Sequence, residues 1–462
     1  MKLKERAKQA LQGKVRWHAL QMIYAVEYKQ AYANVLVDEF LAQSPLNEAD
    51  NRLLVQLLYG VLQRRYTLDF YLQPFIAGRK VEPWVESLLR MSIFQKVYLD
   101  RIPDHAIVAE AVDIAKLNGH RALGNFVNGV LRNFFRTPLR SLADLTDTTE
   151  RLSIQYSIQP WIVDALLAQF SQAEVERLLE SLLQTPFVSA RVKGTPADRE
   201  QVMQDLKAEG YQVSASELSP VGIRVLSGNI VESAAFSQGQ LTIQDESSQL
   251  VAPLGQLHGN ERVLDACSAP GGKATHIASL LPGGELTALD ISERKLQKVH
   301  DNLARMDLLD HVQLFASDAS KFTPSKDGSS QAFYDRIYLD APCSGLGLMR
   351  RKPDIKYTKT PADVTALAKV QDRLLDHMVT LLKPGGYLVY STCTLTREEN
   401  EARVAYVLEQ YPKMEKVEIQ ADEVLKPEVL TEAGDIRVWP QQFGTDGFYI
   451  ARLRKKPLEV NN

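Results

Sequence analysis

Apolar residues in the first 140 positions recur at intervals of three and four, which is the spacing of one face of an amphipathic helix. Proline and glycine fall between these periodic segments and predict where the helices end. The pattern predicts an all-α domain of five to seven helices with no internal repeat. The clearest periodic segments are residues 19–26, 53–62, 107–115 and 126–131.

After the helical domain the pattern weakens and changes character. Residues 141–186 predict a mixed, mainly helical connector. Short strand-like runs then surround one helical segment, which predicts a small α/β subdomain of the RNA-binding type over residues 187–240. The strand-like runs are residues 187–192, 211–213 and 222–226, and the helical segment is 198–209.

From residue 241 onward, short apolar runs alternate with helical segments, which predicts a doubly wound, mainly parallel sheet. A last run at 448–453 is placed for an antiparallel return. The predicted fold class is therefore multidomain, with an all-α domain at 1–140, the connector, the small subdomain and a Rossmann-like α/β domain at 241–457. The parallel strands are predicted at 262–265, 285–290, 312–315, 336–340 and 387–390.

The composition is that of globular domains, with 45% hydrophobic and 24% charged residues among 462. No apolar run approaches the roughly 18 residues of a membrane span, and the basic N-terminus leads into no apolar signal core. We therefore expect a cytoplasmic protein with no membrane partner.

The formal net charge of −3 conceals an asymmetry between the two ends of the chain. Residues 1–140 carry 20 Lys and Arg against 13 Asp and Glu, a net charge of +7, which leaves −10 for the remainder. A basic N-terminal domain is typical of a surface that faces RNA or phosphate. Charge alone leaves a solvated helical surface as the alternative.

The three cysteines, Cys267, Cys343 and Cys393, are too few for a disulfide scaffold or a structural zinc site. The eight histidines show no metal-ligand spacing, so no metal is predicted. Any one of the cysteines can be a small buried hydrophobe. Two of them, however, follow the strands predicted at 336–340 and 387–390, at the sheet edge where ligands gather in open α/β folds.

A glycine turn follows the strand predicted at 262–265 and opens a helix. Such a turn lets the backbone and the N–H groups of the helix N-terminus approach a nucleotide-type ligand. The spacing is neither that of the Walker A loop nor that of the dinucleotide-binding loop, and a plain tight turn is the alternative. The loop consists of Cys267, Ser268, Ala269, Pro270, Gly271, Gly272 and Lys273.

Acidic residues follow the next two strands. Asp290 ends its strand 25 residues after Asp265, at a place where an acid accepts hydrogen bonds from a ribose diol. Capping of the helix that begins near Ser292 is the alternative. Asp318 holds the same place after the third strand and could address an adenine amino group.

Asp340, Cys343 and Cys393 follow strands that are neighbours in such sheets, so we expect a carboxylate and two thiols to converge. This set, with a nucleoside cofactor and a basic domain, fits methylation of cytosine at carbon 5. Carbon 5 is too weak a nucleophile until a thiolate adds at carbon 6, and a carboxyl group near N3 holds and protonates the ring. The target base must be single-stranded or flipped.

In their order along about 200 residues, these motifs resemble the RNA cytosine-C5 methyltransferases of the NOL1/NOP2/Sun family. The helical front, with residues 125–132, is similar to a NusB-like RNA-binding domain. The pairing of the two resembles the bacterial 16S rRNA methyltransferases of that family over essentially the whole chain. The matching motifs are residues 265–273, 289–290, 318, 340–345, 350–354, 391–394 and 444–449.

The resemblance implies a class I methyltransferase with S-adenosylmethionine as methyl donor. The donor would lie on the loop of residues 267–273, with its ribose on Asp290, its adenine near Asp318 and Asp340 between cofactor and base. The implied RNA partner is 16S rRNA, and the implied state is a monomer.

The resemblance also implies the roles of the sulfurs. Cys393 would be the nucleophile, Cys343 would assist release of the product, and the sulfur of Cys267 would be structural. A tRNA cytosine-C5 methyltransferase and a non-catalytic RNA-binding or transcription factor built on the NusB-like half are the competing interpretations.

Overall fold

The structure is a computed structural model that describes residues 11–324 and 333–458. It divides into two compact units. The helical unit comprises the chain up to Gln184 together with Met349–Thr358, and the sheet unit comprises Thr185–Leu348 and the chain from Lys359 onward.

The described part of the helical unit confirms the predicted all-α domain, because seven helices precede residue 140. Three more helices form the connector. The helices are α1 (Val15–Lys29), α2 (Ala33–Leu41), α3 (Glu48–Gln63), α4 (Arg65–Ile76), α5 (Pro83–Tyr98), α6 (Asp104–Asn118), α7 (Arg121–Arg136), α8 (Thr148–Tyr156), α9 (Pro160–Leu167) and α10 (Gln172–Ser181).

Helix α5 lies at the centre of this unit, since every residue from Ser87 to Gln95 is buried. It has no polar face, so its sequence lacks the alternation of apolar and polar residues that predicted other helices of this unit. Its polar groups are satisfied internally. Arg90 pairs with Asp69 at 2.6 Å and with Glu27 at 3.1 Å.

The sheet unit begins with a four-stranded antiparallel sheet in the order β2-β3-β1-β4. Its last strand was not predicted, because three residues are too few to show an alternating pattern. That strand starts at residue 241 and pairs with the first strand. The elements are β1 (Val188–Val192), α11 (Pro196–Ala208), β2 (Gln212–Ala215), β3 (Gly222–Ser227), α12 (Ala234–Ser237), β4 (Leu241–Ile243) and α13 (Glu246–Gln249).

The larger sheet of this unit has eight strands, of which seven run in the order β10-β12-β9-β8-β5-β6-β7 while β11 pairs with β12. Strands β5 to β9 are mutually parallel and β12 is antiparallel to β9, as predicted. The elements are β5 (Arg262–Asp265), α14 (Gly272–Ser279), β6 (Glu285–Asp290), α15 (Glu293–Arg305), β7 (Val312–Ala316), β8 (Tyr334–Asp340), α16 (Ile355–Thr358), α17 (Pro361–Leu381), β9 (Leu382–Thr392), α18 (Glu401–Gln410), β10 (Met414–Lys416), β11 (Ile436–Val438), α19 (Pro440–Phe443) and β12 (Phe448–Lys455).

The segment Met349–Thr358, which includes α16, is held inside the helical unit. Gln63 Nε2 donates to the carbonyl of Arg350 at 2.7 Å, and the Tyr357 hydroxyl donates to the carbonyl of Leu62 at 2.6 Å. The side chain of Lys356 is fully buried here. The chain therefore crosses into the helical unit shortly after the turn that carries Cys343.

Among the described residues, no helix combines the length and the apolar character that a membrane span requires. The same residues contain no group of three or more His, Cys, Asp and Glu side chains arranged to hold a metal ion.

Candidate active site

Two thiols meet at the ends of neighbouring strands. Strand β8 ends at Asp340 and β9 at Thr392, and the strands are parallel with Asp340 opposite Ser391. The turns that follow bring Cys343 and Cys393 together, with their Sγ atoms 3.4 Å apart. The structure thus places both cysteines at one edge of the sheet, beside the carboxylate that ends β8.

Asp340 is held by two donors. It accepts a hydrogen bond from Ser391 Oγ at 2.9 Å and an ion pair from Lys273 Nζ at 2.6 Å. Burial by itself lowers the pKa of Lys273, but the Asp340 carboxylate outweighs burial and holds that pKa above its ordinary value. Charge on Cys393 adds to the rise, so its sulfur lies within electrostatic reach of the ammonium group.

The two sulfurs are not equivalent. The hydrogen bond with Cys393, together with burial, raises the pKa of Cys343 well above its ordinary value. Cys343 is therefore the sulfur that keeps its proton, and its S–H can be donated to Cys393. A negative charge is therefore disfavoured on Cys343.

The loop between β5 and α14 turns at Gly271, which has a φ of +110°. A Cβ there would lie 3.0 Å from the Cα of Val299 on α15, so both conformation and space require glycine. Ser268 ties the loop to β6, because its amide and hydroxyl donate to the carbonyl of Leu289 at 2.7 and 3.0 Å. Cys267 packs against the core, and burial raises the pKa of its thiol.

Asp290 and Asp318 follow the ends of the adjacent parallel strands β6 and β7. The N-cap of α15 is Ser292, whose Oγ accepts from the amide of Lys295, while Asp290 Oδ1 accepts from the amide of Ser292 at 2.8 Å. The capping role is therefore filled by Ser292. Hydrogen bonds from the hydroxyl and amide of Ser320 lower the pKa of Asp318, which keeps this acid ionised.

Asp265 ends β5 beneath the loop and is 1% exposed. Neither of its carboxylate oxygens has a hydrogen-bond partner among the described residues. Burial raises the pKa of Asp265 to about 7, against the opposing charge of Lys273. An acid buried without a donor is costly, so a ligand that donates to it would be favoured here.

Sequence reasoning missed Glu399 and the partner of Lys273. Glu399 is completely buried and bonds to the turns that carry both cysteines. Its only sequence signal was its place in an acid-rich run after Cys393, and such runs are usually exposed. Lys273 was assigned to the cofactor loop alone, since local sequence does not show that its amine reaches Asp340.

The helical unit carries a groove of about 590 Å³ between α6 and α7. Arg132 and Arg136 line it, and neither pairs with an acid among the described residues. The acids of the groove are already paired, Asp104 with Lys96 at 2.7 Å and Asp113 with a lysine at 3.5 Å. The groove therefore presents unneutralised arginine charge.

Comparison with known proteins adds family matches to this geometry. Residues 253–454 match the family model described as 16S rRNA methyltransferase RsmB/F, residues 13–136 match the NusB family, and residues 159–232 match a ferredoxin-like domain of RsmF/B-like methyltransferases. These matches confirm the predicted fold class and the resemblance read from the motifs.

Whole-chain relatives agree with the family models. The chain is 39% identical over 448 residues to a Bacillus subtilis protein named probable ribosomal RNA small subunit methyltransferase B, covering 96% of this chain and 99% of that one. It is 33% identical to a Synechocystis protein of the same name, covering 93% and 97%. The crystal structure of PH0851 superposes with a TM-score of 0.79 at 25% identity, covering 96% and 98%.

Proposed function

The chain belongs to the 16S rRNA methyltransferase RsmB/F family, and from this premise we propose that it methylates carbon 5 of a cytosine in 16S rRNA through a covalent bond between Cys393 and carbon 6. The observation that carries the proposal is the pair of sulfurs 3.4 Å apart beside the Lys273–Asp340 ion pair. A structural cysteine pair would not need a partly buried ion pair at its side.

Cys393 acts as the nucleophile. Its thiolate adds to carbon 6, the C5=C6 π electrons form a C4=C5 bond, and the C4=N3 π electrons move to N3. N3 then takes a proton from Asp340, which receives it from the Lys273 ammonium to which it is paired. The raised pKa of Cys343 supports the assignment of Cys393 as the nucleophile. Of two sulfurs in contact, only one readily carries a negative charge. The nearby Lys273 ammonium stabilises that charge.

Cys343 assists release of the product. After C5 has gained the methyl group, a base takes the C5 proton and the electrons of the C5–H bond restore the C5=C6 bond while the C6–S bond breaks. N3 returns its proton to Asp340. Cys393 leaves as a thiolate, and the S–H of Cys343 can donate to that leaving sulfur across 3.4 Å.

S-adenosylmethionine, the methyl donor that we propose, would supply an electrophilic methyl group. The residues at the strand ends fit a nucleoside of this kind: Gly271 and Gly272 form the turn, and Asp290 and Asp318 offer carboxylates for a ribose diol and an amino group. The buried carboxylate of Asp265 has no donor among the described residues, so it also favours a ligand with N–H or O–H groups.

The RNA is proposed to contact the groove between α6 and α7 with its phosphates. Arg132 and Arg136 lie one helical turn apart and are free to neutralise phosphate. Replacing each with alanine should lower the slope of log K against log salt concentration by about one. Arg52→Ala is the matched control, because Arg52 is exposed but already paired with Glu48.

The roles of the cysteines are tested by adduct formation with 16S rRNA. Cys343→Ala should accumulate an RNA–protein adduct that survives denaturation, whereas Cys393→Ala should abolish methyl transfer and leave cofactor binding intact. The double variant is the control and should give no adduct. Adduct in Cys393→Ala, with simple inactivity in Cys343→Ala, would reverse the assignment.

The RNA class is tested by transfer of labelled methyl groups to purified RNAs, followed by mapping of 5-methylcytosine. We expect label in 16S rRNA and none in tRNA. Label in tRNA alone would assign the same chemistry to the other substrate, and no label in either RNA would contradict the enzymatic proposal.

A further inference from the structure

The Glu399 carboxylate is a buried junction of hydrogen bonds. Oε1 accepts from the amide of Ser344 at 2.7 Å and from Gln371 Nε2 at 3.3 Å. Oε2 lies 2.5 Å from Ser344 Oγ and 2.9 Å from the hydroxyls of both Thr394 and Thr396. No lysine or arginine pairs with it among the described residues, so these donors compensate for its burial.

The partners of Glu399 are the residues that flank the two thiols. Ser344 directly follows Cys343, and Thr394 directly follows Cys393. The hydroxyls of Ser344 and Thr394 also lie 2.6 Å from each other. One carboxylate therefore fastens the chain immediately after each sulfur.

Two further contacts complete the frame around the sulfurs. Gln371, on α17, donates to the carbonyl of Pro342 at 2.9 Å, on the other side of Cys343. The amide of Gly347 donates to the carbonyl of Cys393 at 2.9 Å. Gln371 itself contacts Glu399, so the backbone on both sides of Cys343 depends on a single buried carboxylate.

We propose that Glu399 is a positioning residue that sets the distance between Cys343 and Cys393 by binding both thiol-bearing turns at once. It has no exposed surface, so it acts through the turns and does not contact the base. This inference rests on the proposed function for its catalytic consequence, but the spacing of the sulfurs can be measured without any reaction.

The consequence follows from geometry. Five donor groups surround the two oxygens of Glu399, and an amide replaces one of these acceptor oxygens with an N–H₂ group. In Glu399→Gln the new N–H₂ group therefore faces hydrogen-bond donors of one cysteine-bearing turn. That turn loses its acceptor and can move. A displacement of about 1 Å at a reacting group costs on the order of 100-fold in rate.

The first measurement is the reaction of the native protein with phenylarsine oxide, a trivalent arsenical that binds two thiols when both sulfurs can reach one arsenic atom. We expect rapid loss of two titratable thiols in wild type and at least a tenfold slower loss in Glu399→Gln. Glu398→Gln is the matched control, because Glu398 is the exposed neighbour and should behave as wild type.

The second measurement is single-turnover methyl transfer to 16S rRNA. Glu399→Gln should lower the rate constant 10- to 100-fold with the dissociation constant for S-adenosylmethionine within twofold of wild type. Equal arsenical and transfer rates in Glu399→Gln and wild type would overturn the inference. An inactive wild type that still binds the arsenical would instead contradict the proposed function alone.

If Glu399→Gln fails to fold, Thr396→Val decides the question. This variant removes one hydroxyl from Oε2 without changing the side-chain shape. We expect arsenical binding and methyl transfer both to be slower by about threefold to tenfold, which corresponds to the net contribution of one ordinary hydrogen bond. Unchanged values for Thr396→Val would then refute the positioning role.

Discussion

Replacement of the buried Lys356 by methionine should change how the stability of the helical unit depends on pH. The Lys356 side chain is fully buried, and its Nζ lies 3.4 Å from the carbonyls of Gln63 and Tyr156. No carboxylate pairs with it among the described residues. Burial, with a smaller contribution from Arg64, lowers the pKa of Lys356 from 10.5 to about 7.

The sign and size of the effect follow from the two pKa values. Between about pH 7 and the ordinary lysine pKa, the unfolded chain keeps a proton that the folded chain has released. The unfolding free energy of wild type must therefore rise with pH across this window. Between pH 7 and pH 9 the rise is roughly 2 kcal/mol relative to a chain without this group.

Tryptophan fluorescence during urea unfolding measures this difference, because Trp17, Trp84 and Trp161 lie in the helical unit and one further tryptophan lies elsewhere. The wild-type transition should move to higher urea from pH 7 to pH 9 relative to Lys356→Met. Lys352→Met changes an exposed lysine and should keep the wild-type pH dependence. Parallel pH profiles for wild type and Lys356→Met would refute the reasoning.

Three further predictions follow from single residues. Gly347→Ala should reduce methyl transfer at least tenfold, since a Cβ at this position would lie 2.0 Å from the carbonyl oxygen of Gly447; transfer assays on the folded variant check this, and wild-type rates would contradict it. The pKa of Asp265 is raised in the folded protein, so its carboxyl contributes stability below about pH 4 that is lost as pH rises through about 7. Asp265→Asn should remove this pH dependence, which thermal midpoints from pH 4 to pH 8 would measure. A variant with the wild-type pH profile would contradict the prediction. Gly129→Ala should raise the unfolding free energy by about 0.5–1 kcal/mol, because alanine favours the helix over glycine and a Cβ at this position of α7 meets no other atom. Urea titrations measure this change, and a destabilised variant would contradict the prediction.

The periodic patterns predicted most elements of both units, because the spacing of apolar residues shows which side of a helix or strand is buried and which side is exposed to solvent. The strand ends at Asp265, Asp290 and Asp340 coincide with those of the structure. The periodic segments did not include helices α2, α4 and α5, and the three-residue strands β4, β10 and β11 were missed. Helix α5 is buried on nearly all sides, and the strands are too short to show an alternation.

The sequence by itself determined the order of domains, the parallel sheet and the residues that end its strands, because these depend on local propensity and on the topology of alternating elements. Only the tertiary structure decided that Lys273 pairs with Asp340, that Glu399 joins both cysteine turns and that Lys356 is buried in another unit of the fold. Each of these contacts joins residues that are far apart in the chain or whose burial depends on distant segments. Their energies depend on desolvation and on distances of about 3 Å, which no local pattern encodes.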